Sequence, residues 1–305
     1  MKEINFPDPI IKDLTGCMAW SGLSVLRDDI VHPYISGNKW RKLKGNLAHL
    51  AENNIKTIVT FGGAFSNHIH ATAAACYHYN IQCVGIIRGE YDKDNPTLAF
   101  AKSQGMILHF VDRQSYREKE KSQVVKKILT QYSNYFLIPE GGSNQYSYQG
   151  LAELSQIINK TDFDVIMVSA GTGYTAAGIL KSLKEEKKLW VFPSLKDTYI
   201  KDKILSQSPK NKHNQLTYYY DYHLGGYAKV SEKYIAFINQ FVRQTGVEID
   251  PIYNAKILYG FYDLVINKKI DVTKKYLWIH TGGLQGIDAY NYMSNKKNSM
   301  PINRL

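Results

Sequence analysis

The chain has 305 residues, 44% of them hydrophobic, and a formal net charge of +11. That length permits a large buried core and implies two domains or one large α/β unit, and it contains no repeat, low-complexity tract or apolar run of membrane-spanning length. The positive charge is scattered over stretches that read as solvated faces, such as Lys119 to Lys127, Lys181 to Lys188 and Lys210 to Lys212, which argues against a nucleic-acid partner.

In chain order, Leu23 to Arg27 reads as a short strand leading through Asp28-Asp29 to a turn marked by His32-Pro33 and Gly37. Asn38 is a good N-cap, and Trp40, Leu43, Leu47 and Leu50 follow at helical spacing. Lys39 therefore falls in a first helical turn, where the helix dipole disfavours a cation. Arg41, Lys42 and Lys44 crowd it, with Lys42 three residues on along the same face. Positive neighbours push an ammonium toward the neutral amine, the form that attacks a carbonyl. The bland alternative is a solvated basic helix start.

Thr57 to Phe61 is a β-branched run typical of a buried parallel strand, closed by Gly62-Gly63. In the following GGAFSNHIHATAAA, Ser66 or Asn67 caps an alanine-rich helix. The alternation continues with strands at Val84 to Ile87, Met106 to Val111 and Tyr135 to Ile138, the last ending in PEGGSNQ. Helices are expected at Pro96 to Lys102, as one long segment from Gln114 to Gln131, and at Gln149 to Ile158. Val165 to Val168 is a strand ending in SAGTGYTAAG, with a helix over Ala176 to Glu185 and a strand at Leu189 to Phe192. Residues 194–217 are polar and weakly patterned, an exposed excursion. Tyr218 to Tyr220 resumes as a strand, HLGGYAKV is a loop, and Ser231 caps a helix to Gln244. Asp250-Pro251-Ile252-Tyr253 starts another helix, Leu277 to Ile279 is the last strand, ending in HTGGLQG, and a helix from Ile287 closes the pattern. Strands separated by helices imply right-handed crossovers and a mainly parallel sheet.

SAGTGYTAAG offers consecutive backbone N–H groups at a helix N-terminus, a phosphate cradle. It lacks the GK[ST] ending of a nucleotide-triphosphate loop, and no GxGxxG stands in the first βα turn. Cys17, Cys76 and Cys83 form no CxxC pair and no metal-ligand spacing with the nine histidines, so no metal is expected. Buried thiols and a start, MKEINFPDPI, without a signal-peptide pattern point to the cytoplasm.

SGNKWRKLKG resembles the GNKxRKL segment of the 1-aminocyclopropane-1-carboxylate (ACC) deaminase/D-cysteine desulfhydrase family, pyridoxal-phosphate enzymes of the tryptophan-synthase-β fold type. The resemblance implies an α/β fold of two open, mainly parallel twisted sheets flanked by helices, with pyridoxal 5′-phosphate in the interdomain cleft. It implies a small domain over residues 45–150 inserted in a large one built from 1–44 and 151–305, and a homodimer. By the same resemblance Lys39 holds the cofactor as a Schiff base and Lys42 helps to hold its phosphate, with Gly171, Thr172, Gly173, Tyr174 and Thr175 as further phosphate ligands. Asn67 matches a residue against the cofactor ring, and Ser66 one that contacts substrate and handles protons. His68 follows the desulfhydrase-like form SNH and is assigned to the substrate site with them. Tyr253 matches a tyrosine beside the substrate and Tyr227, more loosely, a second; with 23 tyrosines in the chain, only the local motifs single these two out.

Thr281 and Asn254 occupy the positions that separate the family's branches, where deaminases carry Glu and Leu and desulfhydrases small hydroxyl residues. Thr281 fits the desulfhydrases, whereas Asn254 fits neither branch, although it rejects the deaminase pattern. An amide beside the cofactor ring would not keep its nitrogen protonated as a carboxylate does. The expected function is a lyase on a small amino acid, a D-cysteine desulfhydrase-like β-elimination, with ACC deaminase as the alternative. A non-catalytic basic binding protein is the alternative of another class.

Overall fold

The computed structural model describes residues 6–20, 22–90 and 94–305. The described chain opens with β1 (Ile10–Asp13) and β2 (Leu23–Arg27), then α1 (Gly37–Glu52), β3 (Thr57–Gly63), α2 (Asn67–Tyr79) and β4 (Gln82–Arg88). There follow α3 (Pro96–Ser103), β5 (Ile107–Val111), α4 (Arg113–Glu118), α5 (Gln123–Leu129), β6 (Tyr135–Ile138) and α6 (Tyr148–Asn159). The last part runs β7 (Val165–Ala170), α7 (Tyr174–Ser182), β8 (Lys188–Pro193), α8 (Ile200–Ser206), β9 (Leu216–Tyr218), α9 (Glu232–Thr245), α10 (Asn254–Ile266), β10 (Tyr276–Ile279) and α11 (Gln285–Asn295). They form two compact units.

The first unit comprises His32–Gly150 with Phe6. Its four-stranded sheet has the order β5-β4-β3-β6, with every pairing parallel. Val59, Phe61, Val84 and Ile86 of the two central strands pack on Tyr116, Val125 and Ile128 from α4 and α5. The closing Gly62 lets a helix descend on the strand end: a Cβ there would stand 3.0 Å from Ser66 Cβ at the start of α2. The second unit comprises Pro7–Val31 and Leu151–Leu305. Its six-stranded sheet, β1-β2-β10-β7-β8-β9, is parallel except for β1 against β2. β7 and β10 are buried throughout, as strands covered on both faces must be. α9 and α10 pack on one face through Phe241, Leu258 and Phe261, and α6 and α7 supply Leu154, Ile158, Ile179 and Leu180 to a separate core.

The structure departs from the sequence-based expectations at several points. A boundary at residue 45 would cut α1, which runs unbroken from Gly37 to Glu52, and the chain instead divides at residue 32. Ser36, not Asn38, is the residue before α1. The expected long helix from Gln114 breaks at Lys119, whose φ of 53° ends α4. There its ammonium lies 3.3 Å from the centre of the Tyr116 ring and 2.9 Å from the Glu140 carboxylate. Residues 194–217 are not a loose excursion, because α8 buries Ile200 and Ile204. Asp250 to Tyr253 form the turn before α10 rather than its first residues. The edge strand β1, exposed at every position, has no apolar alternation by which it could have been read.

Candidate active site

In the first unit the site residues gather on α1, α2 and the turn after β6. α1 buries Trp40, Leu43, Leu47 and Leu50, which sets its face and leaves Lys39 half-buried in the first turn. Burial lowers the Lys39 pKa to about 8. The sequence reading credited the positive neighbours, but desolvation is the cause; the neighbour effect runs toward Lys42, which burial and the Lys39 charge hold well below the usual lysine range. Lys42 is buried, and its Nζ donates to the Gly141 carbonyl and to Ser143 Oγ, both at 3.1 Å. Asn46, one turn further, donates to the Lys42 carbonyl at 2.7 Å and accepts from Asn144 Nδ2 at 2.6 Å. α1 therefore grips the EGGSN turn at Gly141, Ser143 and Asn144, a role the sequence did not announce although PEGGSNQ stood out as a strand end.

Ser66 caps α2, its Oγ accepting from the amides of His68 at 3.2 Å and Ile69 at 3.3 Å. Asn67 is the half-buried first residue of that helix. His68 differs from expectation. It is buried, its Nε2 lies 2.7 Å from Thr60 Oγ1 and its Nδ1 3.3 Å from Thr72 Oγ1. Both ring nitrogens are engaged inside the unit, so the ring supports the site rather than binding substrate through a hydrogen bond. It lies against the same turn: a Cβ on Gly142 would stand 3.3 Å from His68 Nδ1 and 3.4 Å from Lys42 Cβ. Burial, then the charges of Lys39 and Lys42, hold its pKa well down and keep it neutral.

In the second unit the candidates stand at the carboxyl edge of the parallel strands, the edge at which open α/β sheets bind ligands. β7 delivers Gly171, Thr172 and Gly173 to α7, whose first residues are Tyr174 and Thr175. Gly173, at φ +82°, precedes the helix, and a Cβ there would stand 2.9 Å from Ile204. A Cβ on Gly171 would come 3.1 Å from the Tyr253 ring. Tyr253 meets Tyr227 edge to face, with ring centres 6.5 Å apart. The loop after β7, Tyr253 and Tyr227 thus form one surface within this unit.

Asn254 is corrected by the structure. Its Nδ2 donates to Asp250 Oδ2 at 2.6 Å and to the Gly282 carbonyl at 3.0 Å. Its Oδ1 accepts from the Thr281 amide at 3.1 Å, Thr281 Oγ1 at 3.3 Å and Trp278 Nε1 at 3.3 Å. The amide is saturated and fully buried, with nothing left to offer a cofactor ring. It ties Thr281 to the turn before α10. Asp250, which the sequence reading passed over, accepts from the backbone amides of Ile252, Tyr253 and Asn254 as well. An Asp before a helix start was the available signal.

Each unit, taken by itself, carries a feature that fits one end of a phosphorylated aldehyde. In the second unit, a Cβ at Gly171 or Gly173 of the loop after β7 would crowd Tyr253 or Ile204, and the loop leads into the N-terminus of α7, a position that favours anions. Lys39 supplies an amine of reduced basicity. Among the described residues no group of three or more His, Cys, Asp or Glu could hold a metal, and no helix is long and apolar enough to cross a membrane.

The family described as "Pyridoxal-phosphate dependent enzyme" matches residues 21–282. The chain is 29% identical to the mitochondrial bifunctional D-cysteine desulfhydrase/1-aminocyclopropane-1-carboxylate deaminase of Arabidopsis thaliana, covering 93% of this chain and 78% of that protein. To the D-cysteine desulfhydrase of Serratia proteamaculans it is 26% identical over 88% of each. Among solved structures, an ACC deaminase homologue superposes with a TM-score of 0.76 at 23% identity, covering 91% of this chain and 88% of that one, a likeness of fold.

Proposed function

The chain belongs to the pyridoxal-phosphate-dependent enzyme family, and from that premise we propose that it is a carbon–sulfur lyase acting on a small β-substituted amino acid of the D-cysteine type. The balanced reaction takes D-cysteine and water to pyruvate, ammonia and hydrogen sulfide. The observation that carries the reading is the half-buried Lys39, with its pKa lowered to about 8, in the motif that matches the family. When bound, pyridoxal phosphate supplies the electron sink that makes loss of the α-proton feasible.

Lys39 would hold the cofactor's aldehyde through its amine and would serve as the base that takes the α-proton. Gly171 to Thr175 would hold the phosphate through backbone amides, and Lys42, whose Nζ donates to the Gly141 carbonyl and Ser143, would aid them. Ser66, whose oxygen accepts hydrogen bonds from two backbone amides, keeps its own hydroxyl hydrogen to donate to the substrate carboxylate. Asn67 would lie against the cofactor ring. Tyr253 and Tyr227 flank the substrate, and a tyrosine there delivers the proton that the departing sulfur needs. Thr281, tied to Asn254, is the hydroxyl residue expected of a desulfhydrase.

The relatives' names cover both activities, and the hydroxyl residue Thr281, as the resemblance expects of a desulfhydrase, favours elimination over cyclopropane opening. Purified protein is expected to carry a visible chromophore that borohydride bleaches and that Lys39→Ala lacks. Pyruvate release from D-cysteine should exceed that from L-cysteine and from ACC; turnover of ACC alone would overturn the choice. Cytoplasmic residence accords with the unpaired Cys17, Cys76 and Cys83. A homodimer accords with the exposed Ile10 and Ile11 on β1, an apolar edge for a second copy to cover, and sedimentation as a monomer would refute it.

A further inference from the structure

Lys256 stands in the first turn of α10, where the helix dipole disfavours a cation, and it is fully buried. Among the described residues no carboxylate pairs with its ammonium at short range. Instead the Nζ donates to three backbone carbonyls: Ser194 at 3.1 Å, His223 at 2.7 Å and Gly226 at 2.7 Å. Three donors meeting three acceptors is the full hydrogen-bonding capacity of an ammonium. Burial lowers its pKa to about 8, which retains the charge at neutral pH.

Two of the three carbonyls belong to one strained turn. Leu224 at φ +50°, Gly225 at +86°, Gly226 at +108° and Ala228 at +55° all lie in the left-handed region, two of them not glycine. Such backbone persists only where surrounding contacts over-determine it. The turn carries Tyr227 to its edge-on contact with Tyr253, the ring that lies against Gly171. The third carbonyl, that of Ser194, anchors the clamp to the residue after β8, where the Ser194 amide donates to the Ala170 carbonyl at 2.8 Å just before the glycine loop.

We propose that Lys256 is a positioning residue whose ammonium acts as an internal cation in a carbonyl cage, holding the 223–228 turn so that Tyr227 faces Tyr253. The cage is the site of a small monovalent cation that this chain fills with its own side chain, and a variant lacking that side chain takes ammonium in its place. The consequence for substrate rests on the proposed roles of Tyr227 and Tyr253; the cage itself does not.

The test compares the wild-type holoenzyme with Lys256→Ala in ammonium chloride and in tetramethylammonium chloride at equal ionic strength, following amide hydrogen exchange at 224–228 and the KM and kcat for D-cysteine. The variant is expected to exchange these amides at least tenfold faster, to regain protection saturably with ammonium but not with the bulkier cation, and to show a raised KM that ammonium lowers. Unchanged exchange in the variant, or equal effects of the two salts, would overturn the clamp. Ammonium-restored protection with a wild-type KM throughout would uphold the clamp and refute the placement of Tyr227 beside the substrate. If Lys256→Ala does not fold unaided, refolding yield becomes the readout: recovery in ammonium supports the cage, and equal yields in the two salts overturn it.

Discussion

His68 Nε2 donates to Thr60 Oγ1 at 2.7 Å, and Thr60 in turn donates to the Ile138 carbonyl at 2.8 Å. Because the Thr60 hydrogen is spent on Ile138, the histidine must carry its proton on Nε2, and Nδ1 is left to accept from Thr72. A strand β3 residue thereby sets the tautomer of a ring that lies beside two lysines.

The first prediction concerns acid stability. Burial holds the His68 pKa well below its usual 6.5 and lowers that of His70 to about 4. Below pH 6.5 the unfolded chain takes up protons that these folded rings refuse, so stability is full above that pH and falls as pH drops. The slope is about 1.4 kcal/mol per pH unit for each ring. Urea unfolding at a series of pH values from 7.5 to 5 measures it. His68→Gln should remove one ring's share of the slope, and a variant with the wild-type slope would refute the neutral buried ring.

A second prediction follows from the Asn254 and Asp250 contact of 2.6 Å. Asn254→Asp replaces the donor with a second carboxylate at a fully buried position. Breaking such a buried charged arrangement costs about 3–5 kcal/mol at pH 8. The pair would share a proton, so the folded pKa is raised above the unfolded value and the loss shrinks as pH falls toward 5. Urea titrations of the variant at pH 8 and pH 5 test this, and an equal loss at both would contradict it.

What could be read in the sequence was what local chemistry determines. Ser66 as a cap, Ser231 as a cap accepting from the Tyr234 amide, and the apolar stripe of α1 each depend on residues within one or two turns. The strands β3, β4, β7, β8 and β10 announced themselves by buried apolar runs. What could not be read depends on long-range partners. Lys42 finds Gly141 across 99 residues, and Lys256 finds His223 and Gly226 across about 30. The burial of α8 follows from Gly173, where Ile204 fills the space a side chain would need, and neither residue signals the other. The misassignment of Asn254 has the same origin, since its four partners include Trp278 of β10 and Thr281 and Gly282 just after it.

The third prediction concerns that glycine. Gly173→Ala puts a Cβ at φ +82° and 2.9 Å from Ile204. Left-handed backbone at a non-glycine residue costs about 1–3 kcal/mol, and relief requires the loop or α8 to shift. Thermal unfolding should show the loss, and the dissociation constant for pyridoxal phosphate, measured by dialysis, should rise at least tenfold because the amides of the loop move with it. Unchanged cofactor affinity in a destabilised variant would separate this loop from the phosphate.

The last prediction tests the amine itself. With its pKa lowered from 10.5 to about 8, Lys39 is neutral in roughly a tenth of molecules at pH 7. An ordinary lysine at that pH is neutral in roughly one molecule in three thousand. Only the neutral amine attacks an aldehyde, so uptake of pyridoxal phosphate by the apoprotein should accelerate about tenfold per pH unit below 8 and level off above it. Stopped-flow absorbance across pH 6 to 10 measures the midpoint. Because desolvation rather than the neighbouring ammonium lowers this pKa, Lys42→Met should slow uptake by weakening the hold on phosphate while leaving the midpoint in place. A midpoint near 10.5 in the unmodified chain would mean that Lys39 is solvated and that another group receives the aldehyde.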